Sequence, residues 1–563
     1  MLASLWCSSS DASGGAATEA SSWDTSACGP IYEPFRLPIM YQPESGCRPL
    51  SATLVTDLEL CAGGGGGGGA GAGTESMYSR LFQPSHSFGR QLIPEWGKHF
   101  SSDVHYLTDT QEVISHMPSY QTAMDCGWSE AAGSPGPYMN QERCDRILTL
   151  WSGLHRPDFL EKYSYMEWSM LKSLNESPMF LQLLSVGNMM SPVISLLLPV
   201  LFLLIPFVLL SIQGVGIRWD TYLSTLKNVA RNHFIGKAMV GLQSMSWDKL
   251  LYVGLMLGLY LMQVYQNVMS CFHFYHNTRQ VNQDLQDLDR FCAYSAQSMD
   301  AFVTLHRDRA TYRDFCQETA RRARCLKGLC ERLRVVSPFG VRMQKVGELG
   351  GMMSCYYHVH TCEEVQEAIR YAIGFEGYVN NLRGVWRHLN DGHVALAQFS
   401  VAGKPRRTKF LNQYYPALLD GGGARRAIVK NHVSLKKNMI VTGPNASGKT
   451  TFLKTTAINV IFTQQFGCGY YDAGSQLPRP YTHIHSYLNI PDTSERDSLF
   501  QAEARRCKEI IDTVDTASDA MHFSIFDELY SGTNPREATK AAYAFLKYLA
   551  QRPNVDFVLT THY

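Results

Sequence analysis

None of the fifteen cysteines pairs with another at CxxC spacing, and none joins histidines at zinc-finger spacing. Small zinc modules and thioredoxin-type redox motifs are excluded, and a reducing compartment is the expected setting. Net charge is also lacking, with 51 Lys and Arg against 50 Asp and Glu. No overall positive field can hold nucleic acid or anionic lipid, so contact with either must be local. No basic residue precedes Arg36, which excludes the charged head of a secretory signal and the arginines of a transit peptide. Charge is missing altogether from Ser177 to Ile217 and again from Leu250 to Thr278.

What is present divides the chain into parts. Residues 1–87 hold a low-complexity start, with the glycine run Gly63 to Gly69 and no apolar periodicity, and are expected to be disordered. Residues 88–176 carry no interpretable motif. Residues 177–278 read as a membrane region. The run PVISLLLPVLFLLIPFVLLSI, Pro192 to Ile212, is long enough to cross a bilayer, and a second span is possible at 250–275, where Gln263, Gln266 and Asn267 weaken the pattern. A buried helix of a soluble protein is the competing reading of the first run. Between the two runs stand Arg218, Lys227, Arg231, Lys237 and Lys249, a bias that favours the cytoplasmic side. Two crossings would then put the C-terminal half on the opposite face. A single span, or a hairpin that does not fully cross, is therefore expected, with a lipid bilayer as the partner of 192–212.

Residues 279–426 turn helical. Leu285, Leu288, Cys292, Met299, Phe302 and Val303 recur at three- and four-residue steps. A further helix is expected to start at Thr361, where Glu364 completes a capping box and Val365, Ala368, Ile369 and Ile373 form an apolar face. After Gly384 the helix is expected to break.

The last part, 427–563, carries the chemistry. Met439 to Thr442 reads as a buried strand and Thr451 to Thr463 as a helix, with Gly443, Pro444, Asn445, Ala446, Ser447, Gly448, Lys449 and Thr450 between them. Strand, phosphate loop and helix follow in that order. The glycines let backbone amides turn towards phosphate oxygens, and the helix start adds partial positive charge. Lys449 neutralises the terminal phosphates, and Thr450 offers a hydroxyl to magnesium. Downstream, an apolar strand leads to Asp527 and Glu528, placing one carboxylate to hold the magnesium shell and a second to polarise a water in line with the γ-phosphate. A last strand, Asp556 to Thr561, ends at His562, where a γ-phosphate sensor would stand. The expected fold class is thus an α/β P-loop NTPase domain at the C-terminus. Before it come a mainly helical region with one or two transmembrane helices and a disordered N-terminus. ATP and Mg2+ are the expected cofactors.

The strings VTGPNASGKTTFLK, SLFQAE, FDELYSGTNP and TTHY resemble the ATPase domain of the MutS family of mismatch-repair proteins, especially its membrane-span-bearing members from giant viruses and algae. The resemblance covers about 427–563 and extends more loosely back to Tyr163, through FLNQYYPALL. It implies an ABC/MutS-type ATPase whose helical region acts as levers, a homodimer or MutS-type heterodimer, and duplex DNA as a partner. It assigns Gly443 to Thr451 to phosphates, Thr450 and Asp527 to magnesium, Glu528 to the attacking water and His562 to sensing. Ser498, opening SLFQAE, matches the segment that reaches the partner's γ-phosphate. Asn431 matches the adenine-side loop, but Ile428 stands where an aromatic commonly stacks on the base. The family's mismatch wedge, a Phe-x-Glu in an aromatic turn, is missing, and Phe375-Glu376-Gly377 is not it. Elements that clamp the dimer in relatives would lie past Tyr563. The expected location is a membrane with the ATPase domain on the cytosolic side, or the nucleus or a viral factory. A rival expectation is an ATP-switched membrane scaffold or tether that has lost mismatch recognition.

Overall fold

In the computed structural model the described residues are 30–62, 75–128, 139–212, 247–334, 336–338, 343–399, 407–419, 428–488 and 499–562. The N-terminal part corrects the expectation of disorder for 30–62 and 75–87, while 1–29 and 63–74 lie outside the described residues. A short strand β1 (Cys47–Pro49) and helices α1 (Ala52–Asp57), α2 (Met77–Phe82) and α3 (Ser87–Gln91) lie within 30–101, and β1 pairs antiparallel with β2 (His99–Ser101). Ser76 caps α2 by accepting from the Ser79 amide at 3.1 Å. Met77, Tyr78, Leu81 and Phe82 are all buried.

These helices are too short to stand alone, and the rest of the chain supplies their partner. Helix α4 spans Pro178–Ile212, α5 Trp247–His306, α6 Arg313–Leu333, α7 Met343–Thr361 and α8 Glu363–Asn390. Along one face of α8 run Gly374, Gly377 and Gly384. A Cβ on Gly384 would sit 1.7 Å from the Phe82 carbonyl oxygen, one on Gly377 2.7 Å from that of Phe88, and one on Gly374 2.5 Å from the Phe35 ring. The glycines form a groove into which the N-terminal segment settles backbone to helix. This is why α8 continues to Asn390 instead of breaking after Gly384: tertiary packing overrides a propensity cost of about 1 kcal/mol per glycine.

The expected capping box at Thr361 does not form. Thr361 is the last residue of α7 and donates its hydroxyl to the Tyr357 carbonyl at 3.0 Å, while Cys362 is the N-cap of α8 without a side-chain bond. The apolar face was read correctly, since Val365, Ala368, Ile369 and Ile373 are buried. So was the C-terminal half of α5, where Leu285, Leu288, Cys292, Met299 and Phe302 are buried against α6 and its neighbours. Lys327 pairs with Asp300 at 2.5 Å across the α5–α6 interface.

Helix α4 runs antiparallel to the first half of α5. Tyr260 donates to the Ser195 carbonyl at 3.2 Å, and Cys271 to that of Met189 at 3.4 Å. Among the described residues one helix is long and apolar enough to cross a membrane, within Pro178–Leu197, and only 17% of that window is buried.

The C-terminal part begins with an antiparallel pair, β3 (Lys409–Gln413) and β4 (Asn431–Ser434), followed by β5 (Met439–Thr442), helix α9 (Lys449–Phe466), β6 (His483–Tyr487), α10 (Leu499–Thr516), β7 (His522–Asp527), α11 (Pro535–Ala550) and β8 (Val555–Thr561). Four strands make a parallel sheet in the order β5-β8-β7-β6. Helix α9 is buried nearly throughout and joins the sheet to the N-terminal segment. Gln465 donates to the carbonyls of Trp96 and His99 at 2.7 Å and accepts from Tyr78 at 2.8 Å, while Gln464 donates to the Ser101 carbonyl at 2.8 Å. One contiguous apolar core therefore runs from Tyr32 to Val558, with a smaller one around α10 and α11.

Candidate nucleotide site

The parallel register brings the chemistry to the carboxyl ends of β5, β8 and β7. Thr561 lies beside Thr442, and Thr560 beside Asp527. Crevices outside such strand ends are where open α/β sheets bind ligands. The loop after β5 needs two left-handed residues, Ala446 at φ 59° and Gly448 at φ 90°, before α9 starts at Lys449. Glycine takes that conformation without strain.

Lys449 is buried, and its Nζ donates to the carbonyls of Gly443 at 3.0 Å and Pro444 at 3.1 Å. The ammonium is thereby folded over the loop that would hold phosphates. It also lies 3.3 Å from His562 Nε2, and that histidine contacts Glu528 Oε1 at 2.6 Å. Thr450 Oγ1 donates to Asp527 Oδ2 at 2.8 Å, and Thr560 donates to the other oxygen of Asp527. Glu528 is held at φ 48°, a conformation costing a non-glycine residue about 1 kcal/mol or more. Its amide donates to the Thr560 carbonyl at 3.1 Å. The turn re-aims the carboxylate towards His562 instead of letting it continue the strand alternation.

The residues predicted for phosphate and metal chemistry, Lys449, Thr450, Asp527, Glu528 and His562, are thus brought together by three strand ends. A hydroxyl and a carboxylate in direct contact are hard oxygen donors suited to magnesium, which keeps water and phosphate oxygens as its other ligands. Among the described residues no cluster of three or more His, Cys, Asp or Glu side chains could hold a metal by itself. The fit is to an ion shared with a nucleotide.

Asn431 opens β4 and is exposed beside a cavity of about 230 Å³ that Tyr414, Tyr415, Leu418, Val429, Gly448 and Thr451 also line. Ile428, half-buried, packs on the apolar core. The aromatic rings here come from the QYYPAL segment, which sequence reasoning quoted but gave no role. Ser498 lies outside the described residues, as does Tyr563. The neighbouring Glu503 is buried and accepts from the Ser531 amide at 3.0 Å, the Ser531 hydroxyl at 3.1 Å and the Gly532 amide at 3.4 Å. It ties α10 to the loop that follows Glu528, a bracing role that was missed; the acid closing SLFQAE was its signal. Phe375 and Glu376 are buried inside α8, in agreement with their exclusion as a wedge.

Strand, glycine-bearing loop, helix and two strand-end carboxylates give the C-terminal part the build of an α/β P-loop NTPase-like domain. Residues 439–563 match the family model described as MutS domain V, so this C-terminal part is similar to that domain of the MutS family. It is 26% identical over 191 residues to the Endonuclease MutS2 of Streptococcus thermophilus, a match covering 33% of this chain and 22% of that protein. The proteins of the same name from Halothermothrix orenii and Bacillus thuringiensis are 30% identical over 135 residues and 32% over 143. These matches cover 23% and 24% of this chain and 15% and 17% of the relatives. The chain therefore matches less than a quarter of the length of each of these relatives.

Proposed function

We propose that the chain binds and hydrolyses ATP at the Gly443–Thr450 loop and uses the cycle to switch the helical body and its contact with DNA. The contact between Thr450 and Asp527, with Lys449 folded over the loop beside them, carries this reading. Magnesium held there would neutralise charge on the terminal phosphates. Lys449 exchanges its two loop carbonyls for phosphate oxygens. Glu528 takes the proton from the water that attacks the γ-phosphorus as the bond to the ADP oxygen breaks, and His562 orients that carboxylate and meets the departing phosphate. Glu503 keeps the following loop in register with α10. Ser498, which precedes that helix in sequence, would face the nucleotide of a second chain, making ATP the bond of a dimer.

The decisive experiment is a Mg-ATP titration of Lys449→Ala. Affinity is expected to fall by about a hundredfold or more, since a charge-assisted phosphate contact is lost; unchanged affinity would refute the site. A second reading, favoured by the exposed apolar residues of α4 and α5 and by the buried Phe375-Glu376, is a membrane-anchored ATP-switched tether without mismatch recognition. Salt-dependent binding to mismatched against matched duplex separates the two.

A further inference from the structure

We infer that α4 and the first half of α5 cross a lipid bilayer together as a two-helix hairpin, so that everything before and after them lies on one side. This rests on the membrane-anchored reading above and deepens it. The argument starts from the body. Residues preceding α4 and residues following the uncharged half of α5 share one core: Tyr78 is bonded to Gln465, Ser101 to Gln464, and the Phe82 backbone lies in the groove at Gly384. A chain whose two flanks are packed into one core must cross a membrane an even number of times. The single span expected from the sequence is incompatible with this fold.

The hairpin has the build of a double crossing. Ser195 lies opposite Tyr260 and Met189 opposite Cys271, so the apolar run from Pro192 and the run from Leu250 to Met262 overlap side by side. On α5, Leu251, Leu255, Leu257, Leu259, Leu261, Met262, Tyr265, Val268, Met269 and Phe272 are exposed, an arc of roughly 200° at 100° per residue. The remaining face is turned to α4, which shields part of the less apolar helix. Trp247, 87% exposed, and Tyr265, 64% exposed, bracket the run about 27 Å apart at 1.5 Å per residue. That separation is close to the roughly 30 Å of a hydrocarbon core, and such aromatics favour its two interfaces. Gln263 and Gln266 fall at the interface on the side of the body. A hairpin that turned back inside the bilayer would strand Asp248 and Lys249 in hydrocarbon, whereas two full crossings bring them to the far interface. The charge bias of the connecting segment points the other way, but obeying it would put the whole body, with the Gly443–Thr450 loop, on the side away from cytosolic ATP.

The test uses the full chain, tagged at both ends, with a specific protease site inserted between positions 213 and 246, in sealed vesicles with the ATPase side outward. Retention through alkaline carbonate establishes the membrane reading, and ATP turnover confirms that the tagged chain is folded. The expected result is that both tags are digested in intact vesicles while the inserted site is cut only after detergent. Cutting of the site in intact vesicles, with carbonate retention, would replace the double crossing by a hairpin lying in the interface. Protection of one tag alone would show an odd number of crossings and break the shared core. Release by carbonate would overturn the membrane reading itself, and sedimentation as a larger soluble species would then assign the apolar faces to a second copy of the chain.

Discussion

At the phosphate loop two sets of polar contacts of 3.4 Å or less, Lys449–His562–Glu528 and Thr450–Asp527, lie side by side, whereas the α4–α5 hairpin carries no Asp, Glu, Lys or Arg from Leu250 to Thr278. In the first region each group is placed by the charge or hydroxyl beside it, and a change of one atom type matters. In the second, placement comes from what surrounds the helices, and identity matters only as apolar or charged. Substitutions should therefore separate the two cleanly.

The largest effect is expected from carrying charge into the apolar region. Leu257→Arg puts a guanidinium near the centre of the span at a cost of about 3 kcal/mol or more, and the chain should become extractable by carbonate while its ATP turnover is unchanged. Full retention would break the contrast. Glu528→Gln is expected to lower turnover by roughly a hundredfold, as loss of a general base does, with nucleotide binding and membrane retention intact; wild-type turnover would remove Glu528 from the mechanism. Gly384→Ala tests the body that joins the two regions. Its methyl would collide with the Phe82 carbonyl and should destabilise the fold by about 1–3 kcal/mol, read as a lower midpoint in denaturant; an unchanged midpoint would detach the N-terminal segment from α8.

The smallest effect concerns pH. His483, His485 and His522 stack at the sheet edge with centroids 4.7 to 6.2 Å apart. Burial, their mutual repulsion and the positive charges of Arg48 and Arg506 push His483 down to about 4 and His485 to about 3; burial also lowers His522. All three are neutral in the fold, and unfolded they take up protons below the ordinary value of 6.5. Their contribution thus falls as pH drops from 6.5 towards 4. The buried Glu376, raised by burial to about 7, acts in the opposite sense, so the comparison must be made between variants. His485→Gln should lose less stability than the parent between pH 7 and 5, measured by thermal melts; parallel losses would contradict the neutral stack.

The candidate nucleotide site was legible as a cluster because its geometry is local. Gly443 to Thr450 specify a loop within eight positions, and Asp527 and Glu528 follow an apolar strand directly. The cavity beside Asn431 was half legible: the position of Ile428 was read, but Tyr415 reaches the cavity from just past the end of β3. The N-terminal segment was not legible. Its longest helices within 30–91 have six residues, no apolar period can develop over that length, and a poly-glycine run interrupts it. The same glycine property misled the reading of Gly384, where a missing side chain marks a close approach and not a break. At Thr361 the capping pattern matched while the preceding helix already claimed the residue.

The bond between Gln465 and Trp96 joins positions 369 residues apart, which sets an order of events during synthesis. At roughly 5–20 residues per second a ribosome needs on the order of 20–70 s to supply the partner of the first-made segment. Both hairpin helices emerge within that interval. The N-terminal segment is thus among the last to finish folding, after both helices that interrupt it have left the ribosome.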